Sequence, residues 1–274
     1  MSQRSETVDR AREYYDSENM LNFHDLIYGE HIHIGIYQTG CESISEANLQ
    51  TLETIEGLLK LHPEHKLVDL GSGYGGAARY IVKRAGCHVD CLNLSTAQNK
   101  INRQLNQAQG LDTFIQVFDG SFQNIPFPDR TYDIALSQDA LLYSDDRVRV
   151  FQEVFRVLQP SGQFLLTDVM LKNDCPLKLQ AKTQEIVGLK LASVESYREV
   201  AREVGFNTLQ IVEMPQQVTR QYQKTLDSLE SNFDKLLQCC KRDFLEYQRR
   251  RLTNWIEIGK LDYLNWGILH FQKL

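Results

Sequence analysis

Residues 68–80 read VDLGSGYGGAARY. Gly71, Gly73, Gly75 and Gly76 fall within six positions, directly after a short apolar run. A glycine inside an ordered element costs about 0.5–1 kcal/mol relative to alanine, so four together need a physical reason. A tight strand-to-helix turn accounts for one or two of them. A ligand pressed against the backbone accounts for the others, because glycine admits close approach and the helix that follows offers free N–H groups.

Outward from this stretch the chain alternates strand and helix. KLVDL is a strand, GGAARYIVKRAG a helix, CHVDCLNL a strand, and STAQNKINRQLNQAQG a helix opening on a Ser/Thr cap. FIQVF and YDIALS are strands. A helix over about DDRVRVFQEVFRVLQ carries Val150, Val154, Val157 and Leu158 as an apolar stripe and stops at Pro160-Ser161-Gly162. GQFLLTDV, FNTLQIVEM and DYLNWGILHF add three strands, the last two separated by a segment that reads as one long amphipathic helix. Strands spaced by helices in this way build βαβ units, a parallel sheet and a doubly wound α/β fold. Ligands of such sheets bind at the carboxyl ends of the strands near the switch point, which is where GSGYGG falls.

Composition narrows the partners. The 274 residues are 42% hydrophobic and 24% charged, ordinary for a globular protein. A net charge of −6 argues against a nucleic-acid binder, which carries a basic face. No apolar run approaches the roughly 20 residues that span a bilayer. MSQRSETVDRAREYYD lacks the apolar core of a secretory signal, so a cytoplasmic protein is expected, as a monomer or homodimer. The six cysteines include no CxxC pair and are read as reduced packing residues. His31 and His33, two apart in HIHIGIY, lack a third and fourth ligand, so no metal is expected. No repeat, low-complexity tract or linker divides the chain.

The pattern is GxGxGG, and because Gly76 also completes GxGxxG the glycines alone do not decide. Two features separate the site from a nicotinamide site. Asp69 precedes the first glycine, and a carboxylate there can hold an ammonium group. Nicotinamide cofactors present none at that end; S-adenosyl-L-methionine does. A nicotinamide oxidoreductase would in addition need an acidic residue at the end of the second strand, where Asn93 stands. A non-catalytic sensor of the same cofactor would bind without turnover.

VDLGSGYGG resembles motif I of the class I S-adenosylmethionine-dependent methyltransferases. The resemblance runs on in order through DCLNLSTAQNKINRQLNQAQGL, FDGSFQNIPFPDRTYDIALSQDALLYS and VFRVLQPSGQFLLTDVM. Upstream, YYDSENMLNFHDLIYGEHIHIGIY is similar to the N-terminal lid of the small-molecule branch; downstream, SVESYREVAREVGF and LNWGILHF also match. The chain is most similar to the sarcosine/dimethylglycine N-methyltransferases that make glycine betaine. The resemblance implies one Rossmann-like methyltransferase domain over 1–274, with a seven-stranded doubly wound sheet whose last strand is antiparallel. Residues 1–62 would form a lid and cap helices, 63–170 the cofactor core, and 171–274 the substrate-side helices and last two strands, with a long helical insertion before the final strand.

Carried over residue by residue, Asp69 and Gly71 face the methionine end of the cofactor, and Gly73 permits close approach. Asn93 departs from the acidic residue that usually grips the ribose, but its amide can accept one hydrogen bond and donate another. Gln98 matches the LSxxQ pattern, Ser121 and Phe122 border the adenine, and Ser137 and Gln138 line the methionine chain. HIHIGIY is a lid strand turning His33 and Tyr37 to the pocket, joined by Tyr14 and Tyr15. Asp139 and Tyr143, after the fourth strand, stand at the pocket mouth, with Tyr37 and Tyr28 as an aromatic wall; Asp145 and Asp146 cap the next helix. Methyl transfer from a sulfonium to a neutral amine needs alignment and exclusion of water, and aromatic faces and carboxylates stabilise the cationic product. Asp139, Tyr143 and Tyr37 are the candidate catalytic residues.

The likeness breaks where the substrate is held. The betaine enzymes read WGGEDxHxG, LHS and TDPM where this chain has YGEHIHIG, LYS and TDVM. The resemblance therefore implies methylation of sarcosine and dimethylglycine towards glycine betaine, with another small cationic amine as the alternative. A tocopherol-type C-methyltransferase, which shares a WGxHxHxGxY lid, stands third.

Overall fold

The expected alternation builds a seven-stranded sheet in a computed structural model that describes residues 12–274. Its strands are β1 (Lys66–Leu70), β2 (His88–Asn93), β3 (Ile115–Asp119), β4 (Tyr132–Gln138), β5 (Leu158–Leu171), β6 (Phe206–Glu213) and β7 (Leu264–Lys273). Their order is β3-β2-β1-β4-β5-β7-β6. β1 to β5 run parallel, and β7 is antiparallel to both β5 and β6. Strand order reverses between β1 and β4, so the ends of these two strands frame the crevice.

Helices cover both faces. On one lie α2 (Ile44–Leu59), α3 (Gly76–Ala85) and α4 (Thr96–Ala108), on the other α5 (Arg147–Val157) and α7 (Val194–Val204); α1 (Glu18–Ile27) packs instead against the helices that precede β7, and α6 (Leu177–Val187) against residues 34–36 and the end of β5. Side-chain alternation along β1 feeds two cores. Val68 and Leu70 pack with Val150, Phe151 and Val154 of α5, whereas Leu67 packs with Leu52 and Ile55 of α2 and Ala78 of α3. Several helices begin where the sequence offers an acceptor. Ser95 accepts from the Gln98 N–H at α4, Asp146 from Arg149 at α5, and Ser43 forms a capping box with Glu46 at α2.

Two expectations are corrected. The long helix before the last strand is three helices, α8 (Gln216–Ser231), α9 (Phe233–Leu236) and α10 (Arg242–Gly259). An unbroken helix over that segment would be about 65 Å long, far beyond the sheet. Folding back lets Val218 and Leu229 of α8 and Leu252 and Trp255 of α10 all be buried, with Tyr222 stacked on Trp255 at 5.1 Å. Pro160-Ser161-Gly162 does not end a helix either. α5 stops at Val157, and β5 starts at once, passing the proline through an irregularity in its pairing with β4 in which Ser161 takes φ 62°. No helix among the described residues is long and apolar enough to cross a membrane, and none of their side chains form a metal-binding group.

Candidate active site

The four glycines answer mostly to the protein's own neighbours. Gly71 turns the chain off β1 with φ 80°, its N–H bonded to the Leu92 carbonyl at 2.8 Å. A Cβ there would lie 2.5 Å from that of Ala140, in the loop after β4. At Gly75 a Cβ would strike the Asn102 amide of α4, and at Gly76 the Glu30 carbonyl and the His31 ring. The motif thus brings β4, α4 and the lid onto one turn. Beside it opens a cavity of about 120 Å³.

Asp69, Gly71, Gly73, Asn93, Gln98 and Gln138 wall this cavity from the sheet side, with Ser121 and Phe122 beyond β3. Tyr15, His33, Asp139 and Tyr143 close it from the other side. Ser137 is not there. It is wholly buried, and its hydroxyl donates to the Leu70 carbonyl at 2.8 Å, tying β4 to β1; successive strand side chains point to opposite faces, so only Gln138 meets the cavity. Tyr37 is not there either. It is 1% exposed, and its O–H donates to Gln221 Oε1 of α8 at 2.9 Å. Tyr14 and Tyr28 likewise bond behind the wall, to Gln248 and Thr225.

The cause is that HIHIGIY is not a strand. Residues 31–37 run extended without a strand partner, and their N–H groups are taken by groups from elsewhere. Ile34 donates to Asp139 at 2.6 Å, Gly35 to Gln221 at 3.0 Å, Ile36 to Thr51 and the Ala47 carbonyl, and Tyr37 to Gln217 at 3.0 Å. Freed from a ladder, the segment does not keep a period of two, and Ile32 lines the cavity beside His31 and His33.

Charge is placed sparingly. Asp69 is buried, and burial pushes its carboxyl up to about 7; its Oδ2 has no hydrogen-bond partner among the described residues. Gln98 Nε2, Gln138 Nε2, Ser72 Oγ and His33 Nε2 are also buried without partners. Asn93 donates to Gln98 Oε1 at 3.0 Å. His33 Nδ1 bonds the Ile34 carbonyl at 3.2 Å, and burial lowers its pKa to about 3, so the ring is neutral with its Nε2 lone pair free. Asp139, at φ 49°, accepts from Ile34 N–H, from Trp266 Nε1 at 2.7 Å and from Thr167 Oγ1 at 3.0 Å. Burial raises its pKa to about 6 against the pull of these donors. Tyr15 donates to the Tyr143 hydroxyl at 2.8 Å, the rings meeting edge to face at 5.7 Å.

Other anchors escaped the sequence reading. Buried Arg79 of α3 holds lid residue Glu30 at 2.9 Å and also bonds Asn102, Asn106 and the Tyr74 carbonyl. Asp16 accepts from Ser95 Oγ and Ala97 N–H at the start of α4. Gln217, Gln221 and Thr225 are buried at four-residue spacing on α8, a polar stripe where an apolar one is expected; that periodicity was their only signal.

Unsatisfied buried polar groups in a native fold call for a partner. Here a lone carboxylate, two amide donors, a hydroxyl and a backbone cradle surround one cavity at the switch point. That set fits the ammonium, ribose and adenine of S-adenosylmethionine, and with the sheet order defines a class I methyltransferase dependent on it. Residues 68–166 match the methyltransferase domain family. The sarcosine/dimethylglycine N-methyltransferase of Aphanothece halophytica is 41% identical over 276 residues, covering 100% of both chains. Its namesake from Halorhodospira halochloris is 36% identical over 98% of this chain and 97% of that one. A Galdieria sulphuraria crystal structure, provisionally assigned as a sarcosine dimethylglycine methyltransferase, superposes with TM-score 0.87 at 36% identity, covering 93% of this chain and 98% of the other. The chain belongs to the sarcosine/dimethylglycine N-methyltransferase family.

Proposed function

We propose that this methyltransferase methylates the nitrogen of sarcosine and dimethylglycine, ending at glycine betaine. The observation that carries the reading is one cavity with an unpartnered carboxylate, Asp69, at the cradle and a tyrosine pair with Asp139 at the other wall. The names of the full-length relatives support the substrate.

In this reading Asp69 takes the cofactor's ammonium, Asn93 and Gln98 its ribose, Ser121 and Phe122 border the adenine, and Gln138 the methionine chain, with Gly71 and Gly73 giving the backbone room. Tyr15 and His33 stand between cofactor and amine. S-adenosylmethionine supplies an electrophilic methyl group: its C–S bond breaks as the N–C bond forms, and a thioether leaves. Neutral dimethylglycine nitrogen attacks with its lone pair, so any ammonium proton must first depart to water; His33 is too weak a base to hold it. Tyr143 and Tyr15 then present ring faces and oxygens to the new cation, and Asp139 lends negative charge while clamping the lid. Tyr37 acts from behind, through Gln221, without touching the amine. Residues 63–170 and 171–274 work as cofactor core and amine-side cover and 1–62, of which 1–11 lie outside the described residues, as the lid of one unit, in the cytoplasm. Tyr143 in place of the family's histidine favours a second reading, a small amine lacking a carboxylate.

Labelled methyl transfer to sarcosine, dimethylglycine and 2-(dimethylamino)ethanol decides between the two. The two amino acids are expected to be the better acceptors. Transfer to the amino alcohol alone would overturn the proposal.

A further inference from the structure

Arg251 of α10 is half-buried, and no described residue gives its guanidinium a hydrogen bond or a carboxylate. Arg249, two residues earlier, is held by Glu230 at 2.6 Å and Glu246 at 2.5 Å. Arg251 instead lies over the Tyr14 ring at 5.7 Å. Its charge is felt by Tyr14, Tyr15, Tyr28, Tyr143 and Tyr222, and by His24. Burial keeps two of these neighbours neutral: Tyr14 is pushed up to about 12 and His24 down to about 3. A cation drawn partly out of water without an anion is costly, and such a group calls for a partner, a bound anion being one.

Two further observations say which ligand. Trp255, one turn along α10, is 1% exposed, and its indole N–H has no partner among the described residues. Arg250, Arg251 and Trp255 together border a second cavity of about 140 Å³, lined also by Ile186 and Val187. Guanidinium and indole N–H groups only donate, so the site suits an anion. Tyr15 and Tyr143, which are among the neighbours of Arg251, also wall the main cavity.

We propose that Arg251 is the counter-charge for the substrate's carboxylate and so selects amino acids over simple amines. The inference rests on the substrate reading above. The methyl-accepting nitrogen faces the main cavity, and the carboxylate points toward α10, where the planar guanidinium can take both oxygens. The tyrosine hydroxyls between them complete the shell.

The test compares Arg251→Leu and Arg251→Lys with the parent on dimethylglycine and on 2-(dimethylamino)ethanol. Arg251→Leu is expected to raise KM for dimethylglycine by about 30-fold or more, the effect of stripping one partner from a desolvated charge pair. KM for the amino alcohol and affinity for S-adenosylhomocysteine should stay within about twofold, and Arg251→Lys should recover part of the loss. Equal shifts on both amines, or no shift, would overturn the inference and leave the substrate reading standing. Calorimetric titration of dimethylglycine into the S-adenosylhomocysteine complex supplies the second readout: binding retained in Arg251→Leu also overturns it. If the parent methylates only the amino alcohol, the substrate reading falls first, and the carboxylate role with it.

Discussion

The two walls of the cavity are built by opposite means. The cradle wall is local. Its shape is written into Gly71, Gly73 and Gly75, all at positive φ within five residues, and its polar atoms, Asp69 Oδ2, Gln98 Nε2 and Gln138 Nε2, are left without partners. The lid wall is assembled at a distance. Every N–H from Ile34 to Tyr37 is bonded, and the acceptors come from α2, α8 and the loop after β4. One wall is made to bind; the other is made to be held in place.

The sharpest break in this contrast is Gly71→Val. A β-branched residue cannot adopt φ 80° without strain, and its Cβ would sit 2.5 Å from that of Ala140. Affinity for S-adenosylhomocysteine should fall at least about 100-fold by calorimetry. Undiminished affinity would mean that the cradle does not hold the cofactor.

Next comes Gln221→Leu on the lid side. It strands the Gly35 N–H and the Tyr37 hydroxyl, both buried. Urea unfolding should show a loss of about 2–6 kcal/mol, from about 1–3 for each of the two orphaned donors. Cofactor affinity should fall far less than in Gly71→Val. A variant as stable as the parent would show that α8 does not hold the lid.

Third, cofactor binding should carry a proton linkage. Burial holds the Asp69 carboxyl up to about 7, and an ammonium favours its ionised form. Below pH 7 the proton must therefore leave on binding, so affinity declines by about tenfold per pH unit as pH falls below that value, and is flat above it. Calorimetry in buffers of different ionisation enthalpy should find close to one proton released at pH 6. Asp69→Asn should bind weakly and without this dependence; the same release from that variant would locate the proton elsewhere.

The smallest effect is expected of Tyr143→Phe, which deletes the acceptor of the Tyr15 hydroxyl but keeps the ring contact. About 1 kcal/mol, a loss of two- to sixfold in kcat/KM on dimethylglycine, is anticipated. A loss beyond about 100-fold would move the Tyr143 hydroxyl from packing into chemistry.

The same contrast explains what the sequence could reveal. GSGYGG with Asp69 before it marks the cradle, because a turn and a carboxylate are encoded next to each other. The strand order follows from βαβ spacing, and caps such as Ser95 and Asp146 from single residues. Ser137 was misplaced by one step, since YDIALSQ is apolar enough on both faces to hide which residue looks outward. The lid was misread because Ile32, Ile34 and Ile36 alternate like a strand, while the groups that satisfy its backbone lie about 180 residues away. Gln217, Gln221 and Arg251 went unremarked in the sequence, because their partners appear only once α8 and α10 are folded back on each other.

The placement of β7 between β5 and β6 has a temporal side. Those two strands never touch in the finished sheet, so when both have left the ribosome each still offers a bare edge. Only β7, which follows both in the chain and is antiparallel to both, pairs with those facing edges. β6 tolerates the wait because Asn207, Thr208, Gln210 and Glu213 break its apolar run. The nascent chain thus carries its glycine cradle from early on, whereas β6 joins the sheet only once β7 has entered between it and β5.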